Sequence, residues 1–275
     1  MNVQRIAAFS EGSSGGNPAG VVLCEALPDE ASMQAVAREV GYSETAFAAP
    51  IQDGWRVRYF APEVEVPFCG HATIALGAAL ALAYGSGVFP LQLNDSKITV
   101  EGTVENGQIV AALQSPPTRS APAPEVLVSE VLRLFSYTRE QLDPRLSPTI
   151  AEASARFLVV PLADRSDLSA MRYDFEAGRR FMLDNELVTI SFIHVEEANL
   201  FHARNPFAFG GVYEDPATGA AAAALAGYLR DVDWPHGGSI TILQGFDMGV
   251  PSRLRADIAG PRGSSIRVSG GARVI

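Results

Sequence analysis

Apolar residues along this chain cluster in short alternating or continuous runs, the pattern of strands, and recur at helical spacing in only a few places. Between Asp29 and Gly41, Met33, Val36, Ala37 and Val40 mark one face of a helix, with Asp29 suited to cap its start and Gly41 to end it. Strand-like runs follow in "ETAFAAP", "WRVRYFAP", "KITVEG" and "QIVAALQ", with Gln52-Asp53-Gly54 and Glu105-Asn106-Gly107 as hairpin turns. Among them lies "PFCGHATIALGAALALAY", residues 67–84, apolar on every side and rich in alanine. The first half therefore predicts many strands around one apolar helix.

Residues 115–125, "SPPTRSAPAPE", hold four prolines and no apolar period, which predicts a connection between domains. The expected division is 1–115 and 116–275, with the final strand free to return to the first half. Beyond the connection "RFLVVPL", "LVTISFIHV" and "NLFHARN" read as strands, and 165–183 as one amphipathic helix. A second small-residue helix is expected in "YEDPATGAAAAALAGYLR", before strands "SITILQG", "SRLRADI" and "SIRVSGGARVI". Shifted by 145, Ala72, Thr73, Ala75 and Ala78–Ala81 match Ala217, Thr218, Ala220 and Ala223–Ala226 residue for residue. With the order of flanking elements, this predicts an internal duplication, each half a curved sheet around a thin helix. Small residues are what a helix enclosed by a sheet can carry. Two such helices starting at one cleft would turn free N–H groups and positive dipole ends toward a carboxylate.

Composition narrows the function. At 275 residues, 47% hydrophobic and 19% charged, the chain is globular in character, and its net charge of -10 argues against nucleic acid and anionic membrane as partners. Small molecules or a second copy are the expected partners. Two cysteines, Cys24 and Cys69, cannot staple a domain of this size, so a reducing compartment, the cytoplasm, is expected. No run reaches the roughly 18 apolar residues of a membrane span. The single lysine, Lys97, sits beside a turn in "NDSKITVEG", which disfavours Schiff-base chemistry. His71, His194, His202 and His236 show no CxxC or HxxxH spacing with the cysteines, so no metal is expected.

Several residues could carry chemistry. Glu44 in "GYSETAFAAP" is either an outward carboxylate on a strand or a half-buried one able to exchange a proton. His71 follows Cys69 and Gly70 at the start of the first small-residue helix, where it is either structural or a hydrogen-bonding partner of a substrate. Cys69 is either a small buried residue or a thiolate favoured by the helix end. Asp215-Pro216 has the form of an N-cap followed by Pro, with Thr218, Gly219 and Ala220 in the first turn. Asn17-Pro18, in "GSSGGNPAGVVL", is either a turn or a ligand contact.

Taken in order, "GNPAGVVL", "SETAF", "RYFAPEVEVPFCGHAT", "EDPATGAAAAALAGYL" and "LQGFDMGVPSRL" resemble the PhzF-like isomerase family over nearly the whole chain. The resemblance implies the α+β diaminopimelate-epimerase fold, two similar halves each wrapping a sheet around a central helix, and a homodimer. It implies cofactor- and metal-independent proton transfer by Glu44, with His71 and Asp215 contacting a small carboxylate-bearing substrate. Asn17, Pro18, Cys69, Gly70, Thr218, Gly219 and Ala220 would line its site, with N–H groups of Gly70, Thr218 and Gly219 receiving the anion. Ala220 stands where the phenazine enzyme has Ser, and Val250 where the last motif commonly has Arg. Two alternatives accompany this reading: an amino-acid racemase or epimerase pairing Cys69 with Glu44, and a metabolite-binding protein without turnover.

Overall fold

Asp29 accepts a hydrogen bond from the Ser32 N–H at 2.9 Å, and Gly41 at φ 71° returns its N–H to Ala37 O. These two caps fix the first helix where the sequence expects it. The computed structural model describes residues 1–275. They form two compact units, Met1–Gln114 with Ser269–Ile275, and Ser115–Val268.

The first unit runs β1 (Gln4–Ser10), β2 (Asn17–Leu23), α1 (Glu30–Val40), β3 (Thr45–Ile51), β4 (Gly54–Phe60), β5 (Glu65–Val66), α2 (Gly70–Tyr84), β6 (Gly87–Gln92), β7 (Lys97–Glu105) and β8 (Gln108–Pro117). The parallel pair β2–β3 is joined by α1, as a parallel pair requires a crossover. β3 and β4 form a hairpin closing at Ile51↔Gly54, and the residues after Val268 return to pair along β1 at Ile6↔Val274. Met33 and Ala37 of α1 pack on Val22, Phe47 and Phe60. The Phe47 and Phe60 rings meet edge to face with centroids 5.7 Å apart.

α2 is buried from His71 to Ala81 and packs on β1, β2 and β7. Its thinness is a steric requirement. A Cβ on Gly102 in β7 would lie 2.2 Å from Gly77 O, and one on Gly77 would lie 2.6 Å from a Val100 methyl. The helix's buried hydroxyl is satisfied: Thr73 Oγ1 donates to Cys69 O at 2.7 Å and meets the Tyr59 hydroxyl at 2.7 Å.

The second unit runs β9 (Arg119–Pro122), α3 (Glu125–Leu134), β10 (Thr149–Glu152), β11 (Arg156–Leu162), α4 (Arg165–Ser169), α5 (Phe175–Asp184), β12 (Thr189–Glu197), β13 (Leu200–Pro206), β14 (Glu214–Asp215), α6 (Gly219–Asp231), β15 (Ser239–Gln244), β16 (Ser252–Asp257) and the start of β17 (Ser265–Val274), which belongs to the first unit from Ser269 on. Its order repeats the first unit's. β11 and β12 are parallel, β12 and β13 antiparallel, a two-residue strand precedes the buried helix, and β15 returns parallel to β13, as β6 does to β4.

Three sequence expectations change. The proline-rich stretch is not merely a connection: Arg119–Pro122 pairs with β10, the extended backbone proline favours being compatible with a short strand. The helix expected over 165–183 is two helices, because Asp174 caps a new start by accepting from the Ala177 N–H at 2.8 Å. Asp215 is not the N-cap of α6. It lies in β14 opposite Asn205, and Thr218 occupies the cap position. Consequently α6 starts four residues later than the shift of 145 predicts, so that the cap Thr218 corresponds to the cap Cys69 rather than to Thr73.

Candidate active site

Two groups of the expected residues assemble, one in each unit. In the first, Gly41 ends α1, and two residues later the chain reaches Glu44 at the entrance to β3, its carbonyl accepting from Gly20 N–H at 3.2 Å. The Glu44 side chain is 16% exposed and that of His71 9%. Glu44 is therefore half-buried and not an outward strand carboxylate. Its Oε2 lies 3.3 Å from His71 Nε2, although the alignment falls short of a hydrogen bond and Oε2 is left buried with none. The same nitrogen is 3.3 Å from Ser43 Oγ, while His71 Nδ1 is 3.3 Å from Cys69 Sγ. Carboxylate, imidazole and thiol thus gather with their ligating atoms within 4.8 Å of one another. CxxC or HxxxH spacing does not describe this group, because Cys69 and His71 are two residues apart and Glu44 comes from another element.

Cys69 is the N-cap of α2 without a side-chain capping bond, and Thr73 N–H makes the first helical bond to Cys69 O. The N–H groups of Gly70, His71 and Ala72 precede that bond, so the helix itself supplies them no acceptor. The Tyr59 hydroxyl beneath this end is pushed well up by burial and stays neutral. Asn17 is buried and Pro18 half-buried at the start of β2, beside β3 in the sheet.

In the second unit, Thr218 Oγ1 donates to Asp215 Oδ2 at 2.5 Å. A residue the sequence reading did not single out holds both: Gln244 is 2% exposed, and its Oε1 accepts from Thr218 N–H at 3.1 Å. Its Nε2 donates to Asp215 O at 2.7 Å and to Thr218 Oγ1 at 3.0 Å. The Thr218 N–H is therefore engaged and cannot receive an anion as expected. The groups without a helical acceptor are those of Gly219, Ala220 and Ala221, because the first helical bond is Ala222 N–H to Thr218 O. Glu214, next to Asp215, makes a buried two-point ion pair with Arg204 at 3.0 and 2.5 Å, and Arg204 also donates to Ser169 O at 2.8 Å. Gln244 could have been found from "LQG", a polar residue ending an apolar strand just before a glycine at φ 77°.

The units differ in one chemical respect. β3 and β12 correspond, so Glu44 before Thr45 corresponds to Val188 before Thr189, and Asp215, opposite Asn205, corresponds to Val66, opposite Tyr59. Each unit carries an acid where the other has valine. An open groove of about 530 Å³ outside α3, lined by Glu125, Val126 and Arg133 among others, contains none of these residues.

Residues 6–275 match the family described as phenazine biosynthesis-like protein. The chain is 36% identical to trans-2,3-dihydro-3-hydroxyanthranilate isomerase of Pseudomonas aeruginosa, over 96% of this chain and 94% of that protein. It is 32% identical to an uncharacterized isomerase of Mesorhizobium japonicum, over 93% and 90%. Among solved structures, a PhzF-family protein of Bacillus anthracis superposes with a TM-score of 0.86 at 21% identity, covering 100% of this chain and 98% of that one. A probable proline racemase of Agrobacterium radiobacter superposes with a TM-score of 0.65 at 10% identity, over 99% and 90%. The chain belongs to the PhzF-like family, has the diaminopimelate-epimerase-like fold, and is an isomerase. No helix is long and apolar enough to cross a membrane.

Proposed function

We propose that the chain moves a proton between two carbons of a small carboxylate-bearing metabolite, with Glu44 as the acid and base. Its carboxylate takes a proton from one carbon, the electron pair shifts along an adjacent conjugated system, and the same carboxyl, which exchanges its proton with solvent in a fraction of turnovers, delivers a proton to another carbon. Nothing is oxidised or reduced, and the product is an isomer. The observation that carries the reading is the half-buried Glu44 carboxylate with one oxygen buried and without a hydrogen bond, held 3.3 Å from His71 Nε2. A carboxylate so placed has accepting capacity left for a proton from substrate. His71 orients the substrate; the N–H group of Gly70 in one unit, and those of Gly219 and Ala220 in the other, are each suited to a carboxylate. Asp215, held by Thr218 and Gln244, takes a polar group such as an amine or hydroxyl.

The first compound to test is trans-2,3-dihydro-3-hydroxyanthranilate, the substrate named for the Pseudomonas aeruginosa relative. Ala220, without a hydroxyl, favours a broader panel of unsaturated amino and hydroxy acids beside it. Product formation followed by NMR should be seen with the wild type and vanish in Glu44→Gln, with ligand binding and melting temperature nearly unchanged. Turnover surviving in that variant would remove Glu44 from the reaction.

A second reading, racemisation with Cys69 as an additional base, is favoured by the 3.3 Å approach of its sulfur to His71 Nδ1. It requires exchange at an amino-acid α-carbon that is lost in Cys69→Ser.

A further inference from the structure

We propose that Glu44, Cys69 and His71 form a binding site for a borderline-soft divalent cation of the Zn²⁺ class, and that an ion bound there stops the isomerase. Thiolate, imidazole and carboxylate are the three ligand types Zn²⁺ takes in proteins, and three of them leave its fourth position to water. Around a tetrahedral ion with ordinary bond lengths, neighbouring ligand atoms stand about 3.3–3.6 Å apart. Here Glu44 Oε2 and His71 Nε2 are already 3.3 Å apart, and Cys69 Sγ is 4.0 Å from that nitrogen, all three ligand atoms lying within 4.8 Å of each other. The sulfur now stands closer to Nδ1, at 3.3 Å, than to Nε2, so closing the set on one ion needs new rotamers of the Cys69 and His71 side chains.

A second feature points to a ligand independently of the distances. Glu44 Oε2 is buried and makes no hydrogen bond, so one strong acceptor faces this group unsatisfied. The charges also balance: one carboxylate and one thiolate neutralise a divalent cation, which offsets the opposing positive end of α2. On binding, the metal–sulfur bond replaces the S–H bond and the proton leaves to solvent, so affinity rises with pH. The ligand set does not depend on the reaction, whereas the inhibition rests on Glu44 being the proton carrier.

The test uses the whole chain with Zn²⁺ or Co²⁺ alone. Zn²⁺ should shield Cys69, but not Cys24, from alkylation followed by mass spectrometry, a comparison that needs no variant. Bound Co²⁺ should show a thiolate-to-metal charge-transfer band in the wild type and in Cys24→Ser. In Cys69→Ser the band should be absent, with Zn²⁺ affinity lowered by more than the roughly tenfold that even an outer-shell change costs. Equal alkylation of Cys69 with and without Zn²⁺, or a band that follows Cys24, would overturn the site. Once turnover is measured, Zn²⁺ should suppress it and a chelator restore it; binding at Cys69 without inhibition would leave the metal site standing and remove Glu44 from the reaction.

Discussion

Glu44 Oε2 stands 3.3 Å from His71 Nε2, and the other nitrogen of that imidazole stands 3.3 Å from Cys69 Sγ, so one ring spaces a carboxylate from a thiol. The carboxylate's reach is set by the backbone of Glu44, tied to Gly20 at the entrance of β3. Glu44→Asp keeps the charge but withdraws it by about one C–C bond, 1.5 Å. Misplacement of that size costs about a hundredfold in rate. We expect kcat to fall by about that factor with the melting temperature within 2 °C of wild type, about the shift that 0.5 kcal/mol gives. Activity and thermal unfolding measured on the same preparation check it.

Gln244 supplies three hydrogen bonds to Asp215 and Thr218 from a buried position. Gln244→Leu leaves the Thr218 N–H and the Asp215 carbonyl without it, an expected cost of about 2–4 kcal/mol. The turn carrying Asp215 is also released, so KM should rise by a larger factor than kcat falls. Urea unfolding and steady-state kinetics report the two effects separately.

The close approach of β7 to α2 makes Gly102 intolerant of a side chain, since a Cβ there would lie 2.2 Å from Gly77 O and 2.8 Å from Ala81 Cβ. Both neighbours belong to a buried helix. Gly102→Ala should destabilise by about 3 kcal/mol, the upper end for overpacking. Gly87→Ala, whose nearest neighbour would be 3.8 Å away, should stay within about 0.5 kcal/mol of wild type. Denaturant midpoints of the two variants provide the comparison.

Much of this packing was legible in the sequence, and some of it was not. Helix α1 follows from Asp29, Gly41 and the spacing of Met33 and Ala37 because caps and one apolar face are local signals. The hairpin turn at Asn106-Gly107 likewise needs positive φ at both residues, 51° and 77°, and names its own turn residues. β1, β2 and β6 were missed: Asn17–Leu23 and Gly87–Gln92 are short, with glycine and proline inside, and it is pairing with β1 and with β4 and β7 that makes them strands. The break between α4 and α5 was hidden because the polar residues around Asp174 fit a helical surface as well as a cap. At the site, Glu44, His71 and Asp215 stood out through motifs, and Gln244 did not, because its role lies wholly in hydrogen bonds to residues 26 and 29 positions away.

Acid should destabilise the chain through two carboxyls in particular. Burial works to raise the Asp143 carboxyl, but hydrogen bonds from the Arg145 side chain and backbone N–H outweigh it and hold the group low. Hydrogen bonding from Arg58 holds Glu65 low in the same way. Both folded values lie below the unfolded ones, so the unfolded chain binds more protons in acid. Their contribution is complete above the unfolded values, about 3.9 for Asp and 4.3 for Glu. It is lost as pH falls through the folded values. The drop in melting temperature between pH 7 and about pH 3 should be smaller in Asp143→Asn than in wild type. A drop of equal size would show that Asp143 does not contribute.

We propose that Glu44, and not Cys69, takes the proton from carbon. The most direct measurement is deuterium uptake from D₂O into substrate and product, followed by NMR for wild type, Cys69→Ser and Glu44→Gln side by side. Deuterium is expected at the reacting carbons with wild type and Cys69→Ser, and none with Glu44→Gln. Uptake that persists in Glu44→Gln and disappears in Cys69→Ser would contradict it.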